Sequence, residues 1–130
     1  MDVSKAMREG FRLVSPGWGF YLNEDKTRGC PLGSAWLAYC IEDPYIRTIE
    51  NITQGRIATI EEELPDIWPE LERWAVLPPN CCREEGRLEF PYHRTRVMDM
   101  VIHLWEECNW PREAIAEWVE RDAEQYDGYK

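Results

Sequence analysis

The sequence predicts a mainly α-helical, compact single-domain fold of five or six helices, closed by a C-terminal helical hairpin, with one short β segment as an option. Apolar residues recur at helical spacing along much of the chain, and proline and glycine interrupt that spacing at short intervals. The last third contains two amphipathic stretches joined by three residues. A chain of 130 residues is long enough to bury one core, so we expect residues 1–130 to form one domain.

The first predicted helix begins near Ser4, whose hydroxyl is suited to cap the first turn, and runs to about Leu13. The Ser-Pro-Gly sequence of residues 15–17 ends this helix, because proline and glycine both disfavour its continuation. The alternating apolar residues Trp18, Phe20 and Leu22 then indicate a short strand or an extended packed segment, followed by a polar turn over residues 23–29.

A buried helix is predicted over residues 31–41, where apolar residues are nearly continuous. Its small residues Gly33, Ser34 and Ala35 would allow another element to approach closely. A further helical stretch is expected over residues 44–54, with Gly55 ending it.

The centre of the chain is predicted to form two short helices. Thr59 and Glu62 have the spacing of a capping box, in which the hydroxyl and the carboxylate each satisfy a backbone N–H. Pro65 and Pro69 interrupt the helical pattern of residues 59–74, so we expect two helices rather than one. Three prolines and a glycine then predict a loop over residues 77–91, with a short extended piece at 87–90.

The C-terminal hairpin is predicted from two helical stretches, residues 94–108 and 112–126. Pro111 suits the first position of the second helix, where its missing N–H costs nothing. The expected apolar faces consist of Val97, Val101, Leu104 and Cys108 on the first helix and Ile115, Trp118 and Val119 on the second.

Seven tryptophans are a high content for this length, and six of them lie in or beside predicted helices. Tryptophan is strongly buried on average, so we expect most of these side chains to belong to the core. One or two remain candidates for a partner interface.

Residues 101–119 (VIHLWEECNWPREAIAEWV) resemble a segment that recurs in small bacterial and phage-type proteins of no assigned activity. The upstream Cys-x-Leu-Gly-x-Ala of those proteins is similar to residues 30–35. This chain differs in having Trp105-Glu106 where Asn-Asp is usual, and Pro111 where a capping serine is usual. The resemblance implies a helical hairpin and no particular activity. The matching residues are Ile102, His103, Leu104, Trp110, Arg112, Glu113, Ile115, Ala116, Trp118 and Val119.

The net charge of −10 is concentrated in the second half of the chain. Residues 1–60 contain seven acidic and seven basic residues, whereas residues 61–130 contain eighteen acidic and eight basic ones. This balance argues against direct binding to nucleic acid, whose phosphates require a basic surface. It favours a basic protein as the partner.

The sequence also predicts the cellular location of the protein and the redox state of its cysteines. No run approaches the roughly 20 apolar residues that span a bilayer, so we expect no membrane insertion. The first residues lack the apolar core of a secretory signal, which favours a cytoplasmic protein. Five cysteines, two of them adjacent at Cys81 and Cys82, do not fit a secreted disulfide framework, and we expect reduced thiols.

Two sets of residues are candidate metal ligands. Adjacent Cys81 and Cys82 do not have the spacing of a structural zinc site. Asp99, His103 and Glu107 follow one another at four-residue intervals, which places them on one predicted polar helix face. We favour a solvated face over a metal site, because a metal site in a bundle requires matching ligands on a second helix. No cofactor is predicted.

Nucleophilic catalysis has one candidate, Cys30, which directly precedes a predicted helix whose N-terminus would favour a thiolate. His93 and His103 are the only histidines that could serve as its base. We expect Cys30 to be a buried, inert thiol, and we predict no catalytic residue.

From the acidic residues we therefore predict the function: this chain is a non-enzymatic interaction protein that binds a basic protein surface. A phage-type inhibitor acting by nucleic-acid mimicry is one version of it. The alternatives are a small metal-dependent protein or enzyme using His103 with nearby carboxylates or cysteines, and a self-associating module. The expected partner-binding residues are Glu113, Glu117, Glu120 and Glu124, which we call the C-terminal stripe, and Glu61, Glu62, Glu63, Asp66, Glu70 and Glu72, which we call the central cluster.

Overall fold

The computed structural model describes residues 2–42, 59–76, 78 and 94–121. Within these residues the chain is mainly helical with two small sheets, which confirms the predicted fold class. The helices are α1 (Val3–Phe11), α2 (Pro31–Glu42), α3 (Thr59–Ile67), a 3-10 helix (Pro69–Glu72), α4 (Val97–Glu106) and α5 (Arg112–Arg121). The strands are β1 (Ser15–Pro16), β2 (Arg28–Gly29), β3 (Trp74–Val76) and β4 (Arg94–Arg96).

Helix α1 is capped by Asp2 and not by Ser4, so the predicted cap was two residues too late. The Asp2 carboxylate accepts the amide N–H of Lys5 at 2.9 Å, and an acidic side chain there also suits the positive end of the helix dipole. Ser4 is buried inside the first turn, where its hydroxyl donates to Asp2 at 2.8 Å. The helix ends at Phe11, since the amides of Leu13 and Val14 both turn back to the carbonyl of Gly10.

The segment between α1 and α2 is a loop held by a minimal parallel pair, β1 with β2. Of the two alternatives predicted for Trp18, Phe20 and Leu22, the strand is not formed, because of these three only Leu22 pairs, in an isolated bridge to Gly29. The predicted polar turn is confirmed: the Asn23 side chain accepts the amides of Thr27 and Arg28 at 2.9 and 3.0 Å. Such a side chain replaces the backbone acceptors that a regular element would supply.

Helix α2 is buried along most of its length and packs most extensively against α1. The predicted close approach at its small residues is confirmed. A Cβ at Gly10 of α1 would collide with the carbonyl of Ser34, and a Cβ at Gly33 would collide with the carbonyl of Tyr21. Both contacts therefore require glycine, and they fix α2 against α1 on one side and against the loop on the other.

The central region forms two short helices as predicted, but the break falls at Trp68 rather than at Pro65. Pro65 lies inside α3, near its end, and the amide of Trp68 still reaches the carbonyl of Leu64 at 2.9 Å to complete the last turn. Pro69 then begins the 3-10 helix. The predicted helix over 44–54 and the loop over 77–91, apart from Pro78, lie outside the described residues.

The hairpin consists of α4 and α5, with one correction at its start. Residues 94–96 pair with β3 in antiparallel fashion, Trp74 opposite Arg96, so the first helix begins at Val97 and not at Arg94. Asn109 adopts a left-handed conformation with φ of 56°, which reverses the chain before α5. Pro111 immediately precedes α5, and its carbonyl accepts the amide of Ile115.

The core lies between α1, α2, α4 and α5, with α3 and the 3-10 helix covering one side. Four tryptophans, Trp36, Trp68, Trp105 and Trp118, are buried in it as expected, whereas Trp18 and Trp74 are exposed. No helix in the described part of the chain is long and apolar enough to cross a bilayer.

Candidate functional site

A groove of about 280 Å³ lies between the loop that precedes α2 and one face of α4. Residues 19–21 of the loop form one wall, residues 30 and 31 form its floor at the start of α2, and Val101, Ile102, Trp105 and Glu106 of α4 form the other wall. We call this the aromatic groove, because Phe20, Tyr21 and Trp105 line it. Its lining is mostly apolar and contains one carboxylate, that of Glu106, and no basic side chain among the residues that the structure describes.

Two consecutive residues of α4 hold the loop wall in place. The indole Nε1 of Trp105 donates to the carbonyl of Gly17 at 2.8 Å, and the Glu106 carboxylate accepts the amide of Gly19 at 2.6 Å. Gly19 has a φ of 88°, a left-handed conformation that favours glycine. Trp18 stacks flat on Trp105, with ring centroids 4.7 Å apart and an angle of 2° between the planes. The loop is thus tied to α4 by backbone and aromatic contacts together.

The outer edge of the groove presents aromatic surface to solvent. Trp18 is 48% exposed and Phe20 is 37% exposed. Because Trp105 is buried and stacks flat on Trp18, it supports the exposed ring from the protein side. A rigid, exposed aromatic beside an apolar depression is typical of a binding surface rather than of a core.

Tyr21 carries the polar side of the groove. Its hydroxyl donates to the Glu61 carboxylate at 3.4 Å. Partial burial raises the pKa of Tyr21 well above its usual value, and the negative charges of Glu61 and Asp99 raise it further. Tyr21 therefore remains a neutral donor, and the Glu61 carboxylate beside its hydroxyl places a negative charge next to this groove residue.

Cys30 lies on the floor of the groove and is not activated. Burial raises the pKa of the Cys30 thiol to about 11, and the bond from the Gly33 amide to its sulfur at 3.4 Å does not compensate. The thiol is therefore neutral at physiological pH. This agrees with the expectation of an inert cysteine, because a nucleophile requires the thiolate.

The C-terminal stripe lies along one exposed face of α5, but its carboxylates contact cations of this chain. Glu113 and Glu120 both approach Arg8 of α1, at 3.9 and 3.1 Å, and Glu117 lies 3.3 Å from Arg121. The contacts with Arg8 join α5 to α1 across the surface. Glu124 lies outside the described residues.

The central cluster is also partly engaged within the molecule. Glu62 and Asp66 are exposed and form no ion pair with any other residue that the structure describes. The remaining four carboxylates accept bonds from other elements: Glu61 from Tyr21 at 3.4 Å, Glu63 from the Trp36 indole at 2.9 Å, Glu70 from the Val3 amide at 3.3 Å, and Glu72 from Arg96 at 2.9 Å.

The predicted row of Asp99, His103 and Glu107 does not form one polar face. Asp99 is paired with Arg96 at 2.9 Å. His103 is only 5% exposed, so its predicted place on a solvated face was wrong, and it lies close to both Glu107 and Cys108. In the described part of the chain, no three His, Cys, Asp or Glu side chains are grouped to hold a metal ion. Cys81 and Cys82 lie outside that part.

Comparison with known proteins finds no matching family model, no matching curated protein and no matching solved structure. The function is therefore inferred from the geometry. Sequence reasoning missed the aromatic groove, although two features marked its two sides separately: the alternation of Trp18 and Phe20, and the presence of Trp105-Glu106 where the resembling segment has Asn-Asp. Those two departing residues are the ones that anchor the loop.

Proposed function

We propose that this chain is a non-enzymatic interaction protein that binds a basic segment of a protein partner, and that the aromatic groove is the binding site. The main support for the proposal is the apolar groove, whose lining residues in the described part of the chain include one carboxylate and no cation. The exposed Trp18, which stacks on the buried Trp105, lies at its edge. Such a site fits a segment in which basic and apolar side chains alternate, the apolar ones entering the groove.

Charge complementarity supports a basic occupant. The chain carries a net charge of −10, Glu106 lines the groove, and Glu61 accepts a bond from the groove residue Tyr21. A negative surface steers a basic segment towards it and raises the rate of association. At contact, an arginine or lysine of the partner is attracted to the face of Trp18, an interaction worth about 0.5–1 kcal/mol at an exposed site.

The acidic residues expected from the sequence take a supporting part in this proposal. Glu113 and Glu120 would have to leave Arg8 before contacting a partner directly. Exposed ion pairs of this kind contribute about 0–1 kcal/mol, so the free energy needed to break them is small. Nucleic-acid mimicry by the C-terminal stripe is thus a distinguishable version of the proposal, in which α5 and not the groove makes the contact.

The experiment is a titration of a synthetic peptide with alternating arginine and leucine, followed by fluorescence anisotropy in reducing buffer suited to a cytoplasmic protein. We expect binding that weakens with added salt, and no binding of the same peptide with glutamate replacing arginine. Trp18→Ala should weaken binding about tenfold, and Trp74→Ala, which removes an exposed tryptophan outside the groove, should not.

A variant that removes one negative charge distinguishes binding in the aromatic groove from binding by the C-terminal stripe. Glu106→Gln removes the groove carboxylate, while the amide oxygen of glutamine can still accept the Gly19 N–H. We expect it to weaken binding several-fold, because it leaves the loop anchored and removes only the charge. Loss of binding in Glu117→Lys with no effect of Glu106→Gln or Trp18→Ala would instead assign the contact to the stripe.

Self-association is the second candidate, favoured by one observation. Leu13 and Ile41 are exposed apolar side chains on a shallow depression between α1 and α2, which also contains Lys5, Arg12, Glu9 and Glu42. Two cations and two anions around an apolar centre can complement a second copy across a twofold axis. Sedimentation velocity over a range of protein concentrations tests it, and Ile41→Asp should abolish any dimer.

A further inference from the structure

The end of α4 brings a thiol, an imidazole and a carboxylate together, outside the aromatic groove. Cys108 Sγ lies 3.2 Å from His103 Nε2, and Glu107 Oε2 lies 3.4 Å from His103 Nδ1. We call these three residues the thiol cluster. His103 is buried, Cys108 is half-buried and Glu107 is exposed, so the cluster leads from the interior to the surface.

Local backbone geometry explains why residues five apart meet. The amides of Glu107 and Cys108 both donate to the carbonyl of His103, at 2.9 and 3.2 Å. This pair of hydrogen bonds to one acceptor draws residue 108 back over the preceding turn instead of letting the helix continue. The left-handed Asn109 then takes the chain away towards α5.

The cluster suits proton transfer and does not suit a metal ion. Ligands of a metal must converge on one point, but the sulfur and the carboxylate face different nitrogens of the same ring. A thiol beside an imidazole nitrogen is the pairing of a nucleophile with its base, and the Glu107 carboxylate adds a negative charge 3.4 Å from the other ring nitrogen. In the tautomer that carries its proton on Nδ1, Nε2 is the acceptor for the Cys108 thiol.

We propose that Cys108 is a reactive thiol that is oxidised by peroxides. The thiol proton passes from Cys108 Sγ to His103 Nε2, and Glu107 stabilises the imidazolium from the other side. The thiolate electron pair attacks one oxygen of hydrogen peroxide, so an S–O bond forms and the O–O bond breaks. The departing hydroxide takes the proton from Nε2 and leaves as water, while sulfur is oxidised to a sulfenic acid.

The other described cysteines provide internal references. Cys30 and Cys40 are buried, and burial raises the pKa of Cys30. Both are buried, whereas Cys108 is half-buried and lies beside an imidazole. Reactivity of Cys108 is therefore measured against two thiols in the same folded molecule.

The test is alkylation of the native protein by iodoacetamide, quantified for each cysteine by peptide mass spectrometry, and then oxidation by hydrogen peroxide with dimedone trapping of the sulfenic acid. We expect Cys108 to react at least about tenfold faster than Cys30 and Cys40. Glu107→Gln should slow Cys108 about threefold, because it removes the charge that favours the imidazolium. Glu62→Gln, which removes an exposed charge elsewhere, should leave the rate unchanged.

Two outcomes would overturn the proposal: a Cys108 rate equal to that of the buried thiols, or a Glu107→Gln protein that reacts as fast as the parent. His103→Gln should abolish the rate advantage if the variant retains its circular dichroism spectrum. Because Glu107 is exposed, its variant tests the relay even if the buried His103 cannot be replaced without unfolding.

Discussion

Arg112 binds the carboxyl end of α1 through Phe11. Its Nη2 donates to the Phe11 carbonyl at 3.0 Å, and its guanidinium lies 4.8 Å from the centre of the Phe11 ring. Nη1 donates to the Val14 carbonyl at 2.8 Å. A cation at this position satisfies the Phe11 carbonyl, one of those that the end of a helix leaves without partners, and faces the negative end of the helix dipole. One side chain thereby joins α5 to the end of α1.

Replacement of Arg112 by alanine should lower the free energy of unfolding by about 2 kcal/mol, since hydrogen bonds to charged groups are worth about 1.5–3 kcal/mol. Arg112→Lys should recover less than half of this, because an ammonium cannot reach two carbonyls with a planar fork. Urea unfolding followed by circular dichroism measures both. Equal stability of the lysine variant and the parent would contradict the two-carbonyl role.

Replacement of Asp2 by alanine should destabilise the protein by about 1 kcal/mol, the usual value of a helix N-cap. The bond from the Lys5 amide holds the pKa of Asp2 below its ordinary value of 3.8. Its contribution is therefore present above pH 4 and is lost as the pH falls below that value through the lowered pKa. Asp2→Asn accepts the same bond without titrating in this range.

Thermal melts of the parent and Asp2→Asn between pH 7 and pH 2.5 check this linkage. The difference between the two melting temperatures should shrink or reverse below pH 4, whereas other carboxylates affect both proteins alike. A difference that stays constant over the whole range would show that Asp2 does not titrate with folding.

Gly33→Ala should destabilise the protein by about 3 kcal/mol, because the added Cβ meets the Tyr21 carbonyl and forces α2 away from the loop. Gly19→Ala is the matched control. Its Cβ has open space around it, so only the cost of the left-handed conformation applies, about 1 kcal/mol. Chemical unfolding of both variants gives the comparison, and a Gly19 variant less stable than the Gly33 variant would contradict the assigned contacts.

Trp105→Phe should lower the free energy of unfolding by about 2 kcal/mol. Phenylalanine keeps an aromatic ring under Trp18 but leaves the Gly17 carbonyl without its donor. Trp74→Phe, at an exposed position, should change stability by less than about 0.5 kcal/mol. Urea unfolding of the two variants separates the lost hydrogen bond from the general effect of replacing tryptophan. Near-equal changes would show that the bond to Gly17 contributes little.

The sequence predicted the elements where local signals dominate. The small residues of α2 and the asparagine turn were read correctly, because their geometry depends on a few neighbouring residues. His103 was misplaced, because an amphipathic pattern assumes one buried face, whereas α4 packs against α2, α5 and the 3-10 helix. Contacts on several sides bury more of its circumference than the pattern implies.

The aromatic groove was beyond prediction from spacing for a related reason. Its two walls come from residues 19–21 and 101–106, and no periodicity within either segment indicates that they meet. The central cluster shows the same limit, since its carboxylates accept bonds from Tyr21, Trp36 and Val3, which are remote in the chain. A count of acidic residues in the sequence therefore overestimates the number of carboxylates that are free to contact a partner.

The bonds from Trp105 and Glu106 to the loop span 88 and 87 residues of chain. Both bonds therefore require that α4 is present and docked against the loop. A nascent or cleaved chain that ends before α4 has no groove to offer, whatever structure its first half adopts. On the proposed function, a partner that binds in the groove would distinguish chains with a docked α4 from chains that lack one.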